Sequence, residues 1–119
     1  RIQRRESAAS ILNDLLSALR KEILDQENSL SLALYEYANL GNQELFARLH
    51  RQAKERWVGL IQYGMETGQF RQADPDQVSD LILYYYQGLR LWSRVLPLDI
   101  QTADHYAQTI ESLLLKPEP

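Results

Sequence analysis

Along almost the whole chain, apolar side chains recur at intervals of three and four, and no segment alternates polar with apolar residues over a strand's length. That spacing lines them up along one side of an α-helix and leaves a half-buried strand nothing to bury. The 4 prolines and 5 glycines fall mostly between these segments, where they end helices. The pattern predicts about five helices joined by short loops, an all-α antiparallel bundle. At 119 residues the chain suits one domain, 1–119, around one core.

The first helix is predicted over about Arg4 to Asp25, with Ala8, Ile11, Leu12, Leu15, Leu19 and Ile23 on one face. The second covers about Ser29 to Leu40, with Leu30, Ala33, Leu34 and Tyr37 inward, and Gly41-Asn42 ends it. The third runs from about Gln43 to Thr67 on a stripe of Phe46, Leu49, Ala53, Trp57, Leu60, Ile61 and Gly64. Gly68 supplies a left-handed cap and Phe70 anchors the loop that follows. Asp74 caps a fourth helix that has Pro75 at its first position and runs to about Leu96. Asp99 caps the fifth, from Ile100 to about Leu115.

The fourth helix contains LYYYQGLRLW, Leu83 to Trp92, whose three successive tyrosines cannot share one face. On a helical wheel its polar sector, Ser79, Asp80, Gln87, Arg90 and Arg94, spans only about 100°, leaving roughly 220° apolar or aromatic. A helix facing one core needs a stripe of only ~100°. Val78, Leu81, Ile82, Tyr85, Leu89, Trp92 and Leu96 form the centre of the apolar arc, with Tyr84, Gly88, Leu91 and Val95 on one flank and Ile82, Tyr86 and Ser93 on the other. Leu83 falls near the polar sector and fits neither. The fifth helix gathers Ala103, Tyr106, Ala107, Ile110, Leu113 and Leu114 on one face. An over-wide helix beside a terminal amphipathic one predicts a homodimer in which two helices from each chain form a four-helix bundle, the alternative being a monomer that buries both flanks under its own first three helices. The interface would use Tyr84, Gly88, Leu91, Val95, Tyr106, Ile110, Leu113 and Leu114.

The aromatics raise a second expectation. Tyr37, Trp57, Tyr85 and Trp92 come from three helices and, with His50 and Ile61, are predicted to line a pocket for a small apolar or aromatic effector. Plain core filling is the alternative for each of them.

Catalysis has little to stand on. The two histidines, His50 and His105, are far apart, no helix carries a metal-binding histidine pair, and no glycine-rich loop could cradle a phosphate. Neither a metal, a cofactor nor an enzymatic activity is expected. With no cysteine the chain forms no disulfide, which fits a reducing cytoplasm. A net charge of −3 speaks against broad nucleic-acid binding by these residues, the cluster Arg1, Arg4 and Arg5 reading as a solvated helix start. No run approaches the ~18 apolar residues of a membrane span.

The stretch YGMETGQFRQADPDQVSDLILYYYQGL resembles the C-terminal half of TetR-family bacterial transcription regulators. Members often end a long helix with Gly-x-x-x-Gly-x-Phe, here Gly64, Gly68 and Phe70. An Asp then opens the next helix, here Asp74, and that helix carries a Gly-Leu, here Gly88-Leu89. The likeness covers about Gln43 to Leu115. The family's helix-turn-helix has no counterpart within these residues. The resemblance therefore implies an effector-binding and dimerisation domain whose first helix joins a DNA-binding head outside this chain. It implies a pocket enclosed by the first four helices, dimerisation through the last two, and DNA contact only through the head. A helical homodimerisation module with no small-molecule site is the alternative.

Overall fold

The computed structural model describes residues 2–24, 43–92 and 99–116, whose regular elements are all helices. Four run through them: α1 (Ala8–Leu24), α2 (Gln43–Glu66), α3 (Pro75–Trp92) and α4 (Ile100–Leu114). They correspond to the first, third, fourth and fifth predicted helices. The predicted second helix, with Tyr37, lies outside the described residues, as does the end of the fourth with Val95.

The local signals act where they were expected, with one correction. α1 starts at Ala8 rather than Arg4. Ile2 to Arg5 form a turn instead, with Arg5 in the left-handed region at φ 56° and its N–H donating to the Ile2 carbonyl at 3.0 Å. Ser7 is the cap, its hydroxyl accepting the Ser10 N–H at 3.3 Å, because a short polar side chain can satisfy a helix's free amides and an arginine cannot. Asp74 caps α3 by accepting the N–H of Asp76 at 3.0 Å and of Gln77 at 3.4 Å. Asp99 caps α4 through the Thr102 N–H at 3.0 Å.

The turn after α2 joins three helices. Gly68 takes φ 80°, and the N–H groups of Gln69 and Phe70 both donate to the Gly64 carbonyl, at 2.9 and 3.0 Å. This aims the fully buried Phe70 ring into the core against Gly64. The Gln69 side-chain oxygen accepts the Ala9 N–H at 2.8 Å and the Ser7 hydroxyl at 3.0 Å, adding a second cap to α1. Arg71 holds the end of α4, its N–H donating to Leu114 at 2.7 Å and its Nε to Leu115 at 2.9 Å.

α2 packs along α3 and α1 along α4, while α1 also touches α2 and α3. The core takes Leu12, Leu16 and Ile23 from α1, and Trp57, Leu60 and Ile61 from α2. To these it adds Ile82 and Tyr86 from α3 and Tyr106, Ile110 and Leu114 from α4. Burying each such aliphatic side chain contributes about 1.5–3 kcal/mol. Leu16, absent from the predicted stripe of the first helix, is fully buried; Leu49, placed on the predicted stripe of α2, is exposed.

α3 is turned relative to its predicted setting. Its inward residues are Ser79, Ile82, Leu83, Tyr86 and Arg90, so two members of the expected polar sector face the core and Leu81 and Trp92 face out. Leu83, which fitted no sector, is a core residue. The physical reason is that the apolar arc was wide enough for two faces, and its middle is divided between them, Ile82 inward and Leu81 and Trp92 outward.

Candidate functional site

The three tyrosines part company in the fold. Tyr86 is buried among α1, α3 and α4, and its hydroxyl donates to the Glu22 carboxylate. Tyr85 is half-buried and meets the Tyr106 ring edge-on, with centroids 4.7 Å apart at 80°. Tyr84 is 65% exposed and lies nearly parallel to the His50 imidazole, with centroids 5.5 Å apart at 15°.

That stack gives His50 a place the sequence did not foresee, on the seam between α2 and α3. The other pocket candidates within the described residues differ in burial. Trp57 and Ile61 are buried core residues, Tyr85 packs on Tyr106, and Trp92 is 56% exposed. Among the described residues, two clefts lie elsewhere. One of about 380 Å3 lies between Arg51, Lys54, Val58, Gly59 and Asp76; another of about 450 Å3 lies between Arg5, Ser7, Tyr63, Thr67 and Gln69. Neither touches His50, Trp57, Ile61, Tyr85 or Trp92.

The interface candidates divide as well. Tyr106, Ile110 and Leu114 are fully buried in the chain's own core. The Tyr106 hydroxyl donates to the Ile82 carbonyl at 3.3 Å, and burial, with the Tyr86 and Tyr85 phenols close by, pushes its pKa up. Leu113 is exposed at the edge of α4. Tyr84 and Leu91 are exposed on α3, and Gly88 is half-exposed between them with open space where a side chain would project. Leu81 and Trp92, not predicted for this face, lie exposed on it too. The resulting outward stripe, Leu81, Tyr84, Gly88, Leu91 and Trp92, carries no charge. In the sequence the width of the apolar arc marks Tyr84, Gly88 and Leu91 as a separate flank, whereas Leu81 and Trp92 fall at the centre of the arc.

One turn along the seam from His50 and Tyr84 lies an ion pair. The Lys54 ammonium lies 3.1 Å from Asp80 and 3.7 Å from Asp76. The hydrogen bond to Asp80 and the attraction of both carboxylates raise its pKa above the ordinary lysine value. Lys54 thereby ties the start of α3 to the middle of α2. At the other side of the molecule Arg20 of α1 pairs with Asp104 of α4.

Among the described residues these features give an all-helical fold with a packed core and an uncharged apolar outer face on α3. Among the described residues, no helix is long and apolar enough to cross a membrane. No family model, curated protein or solved structure matches the chain.

Proposed function

We propose that the chain is the regulatory half of a TetR-type bacterial transcription regulator, a cytoplasmic homodimerising domain that binds a small apolar or aromatic effector. The observation that carries the reading is the α2–α3 junction. Gly64, Gly68, Phe70 and Asp74, the residues of the resemblance, each have a distinct mechanical task there: close approach, left-handed turn, core anchor and helix cap. In this reading α1 joins a DNA-binding head upstream, and the ligand acts by preferring one spacing of the two heads in the dimer. Only that difference in affinity can move the equilibrium.

A second reading, a homodimerisation module with no small-molecule site, draws support from the burial of Trp57 and Ile61 in the core and the exposure of Trp92. The experiment that tests the class is gel-shift analysis of the full-length protein with DNA flanking its own gene. Salt-sensitive, sequence-specific binding is expected, lost when residues upstream of the chain are removed; no specific binding would overturn the class. Thermal-shift measurement on this chain with small apolar and aromatic compounds separates the readings. An effector at a hundred times its Kd stabilises the folded state by about 2.7 kcal/mol. No shift with any compound selects the module without a small-molecule site.

A further inference from the structure

We propose that the cleft between the turn before α1 and the end of α2 binds a small zwitterion, a free α-amino acid, with its carboxylate on Arg5 and its ammonium on Glu66. The site is separate from that of the apolar effector in the proposed function and does not depend on it.

The walls of the cleft are already fixed by the fold. Its volume of about 450 Å3 falls within the ~300–1,000 Å3 range of small-molecule pockets. One wall is the turn from Ile2 to Arg5 with Ser7; the other is the end of α2 with Thr67 and Gln69. Hydrogen bonds pin the two together. The Tyr63 hydroxyl donates to the Glu6 carbonyl at 2.6 Å, and the Gln69 side-chain oxygen accepts the Ala9 N–H and the Ser7 hydroxyl. Thr67 turns its own hydroxyl back onto the Tyr63 carbonyl at 3.0 Å.

These bonds use most of the polar lining, and what they leave over is specific. Arg5 comes from one wall and Glu66 from the other. Among the described residues, neither side chain has a hydrogen bond or ion pair, with the other or with a third group. Two opposite charges that share a cleft without closing on each other suit one molecule that carries both signs. A guanidinium meets a carboxylate in two parallel bonds, and a carboxylate accepts from an ammonium. The Gln69 amide nitrogen is a further donor for the ligand's carboxylate, while Tyr63 and Ile2 offer apolar surface to its side chain.

The backbone gives independent support. Arg5 sits at φ 56°, where a β-carbon is crowded and glycine or asparagine is the easier choice. The bond that closes this turn runs from the Arg5 N–H to the Ile2 carbonyl, so it needs no arginine side chain. The strained residue is the one that supplies the cleft's positive charge, and backbone strain of this kind concentrates at binding sites.

Titration of the isotope-labelled chain with L-alanine, L-leucine and L-glutamine, followed by nuclear magnetic resonance, tests the site. Saturable shifts are expected at the backbone amides of Thr67 and Gln69, with a Kd of about 1 mM or below for at least one of them. The methyl ester and the N-acetyl form of that amino acid each lack one charge and should bind at least about tenfold more weakly. Arg5→Asn keeps a residue suited to the left-handed turn and removes the guanidinium; Glu66→Gln keeps the shape and removes the charge. Each should weaken binding at least about tenfold with the circular dichroism unchanged. Arg48→Gln, on α2 outside the cleft, should leave the affinity as it is. The absence of any saturable shift by about 20 mM overturns the proposal. So does an ester that binds as well as the free amino acid, or an unchanged affinity in Arg5→Asn and Glu66→Gln.

Discussion

Phe70 lays its ring directly over Gly64, so that a Cβ added at residue 64 would sit under 3.0 Å from three ring atoms. Phe70 is fully buried and held by its own N–H bond to the Gly64 carbonyl at 3.0 Å, which leaves the ring nowhere to go. Gly64→Ala should therefore cost about 1–3 kcal/mol, the usual penalty for overpacking a filled core. Urea unfolding checks this. If the clash is with the ring, Gly64→Ala should cost less in a Phe70→Leu background than alone, and strict additivity would refute the mechanism.

Gln69 links the same turn to a helix start 60 residues away in sequence. Replacing it with Ala removes the acceptor for the Ala9 N–H and the Ser7 hydroxyl and should cost about 1 kcal/mol. Gln69→Glu keeps an acceptor and adds negative charge at the positive end of α1, so it should stay within about 0.5 kcal/mol of the parent. Hydrogen exchange at Ala9 should quicken in the first variant and not in the second.

Ser79 is fully buried on the core face of α3, and its hydroxyl has no hydrogen-bond partner among the described residues. A sealed, unsatisfied hydroxyl opposes folding, and alanine is also the better helix former. Ser79→Ala should raise stability by about 1 kcal/mol, seen as a higher urea midpoint with an unchanged slope.

Asp99 gives the fold an acid-sensitive end. Hydrogen bonds from the Thr102 N–H and hydroxyl hold its carboxyl below the usual carboxylate pKa. Because the folded value is the lower one, the cap's contribution is fully present above the unfolded pKa of about 3.9 and is lost as the pH falls through the folded value. Asp99→Asn keeps an acceptor without the titration. Unfolding midpoints measured from about pH 6 down to pH 3 should fall less steeply in that variant than in the parent.

The boundaries were legible in the sequence to the extent that they are local. Gly68, Asp74 with Pro75, and Asp99 act on amides within a few residues, and each stands where the chain predicted a helix to end or begin. Arg4 was misread as a helix start because its periodicity continued past Ser7, whose capping hydroxyl is the stronger local signal. The pocket was less legible. Aromatic content says nothing of convergence, and His50 finds Tyr84 only because α2 and α3 run side by side.

By itself, then, the sequence determined that the chain is helical, where the described helices break, and that the helix bearing the three tyrosines has apolar side chains on more than one side. Periodicity encodes all of this, since side-chain direction follows from spacing along one helix. Only the tertiary structure decided which side turns inward. The rotation of α3 depends on what α1, α2 and α4 present to it. Tyr86 reaches Glu22, Tyr85 meets Tyr106, and the small Ser79 fits between packed helices. Those contacts join residues tens of positions apart, beyond the reach of any wheel drawn for one helix, and they leave Tyr84 on the outer face with Gly88 and Trp92.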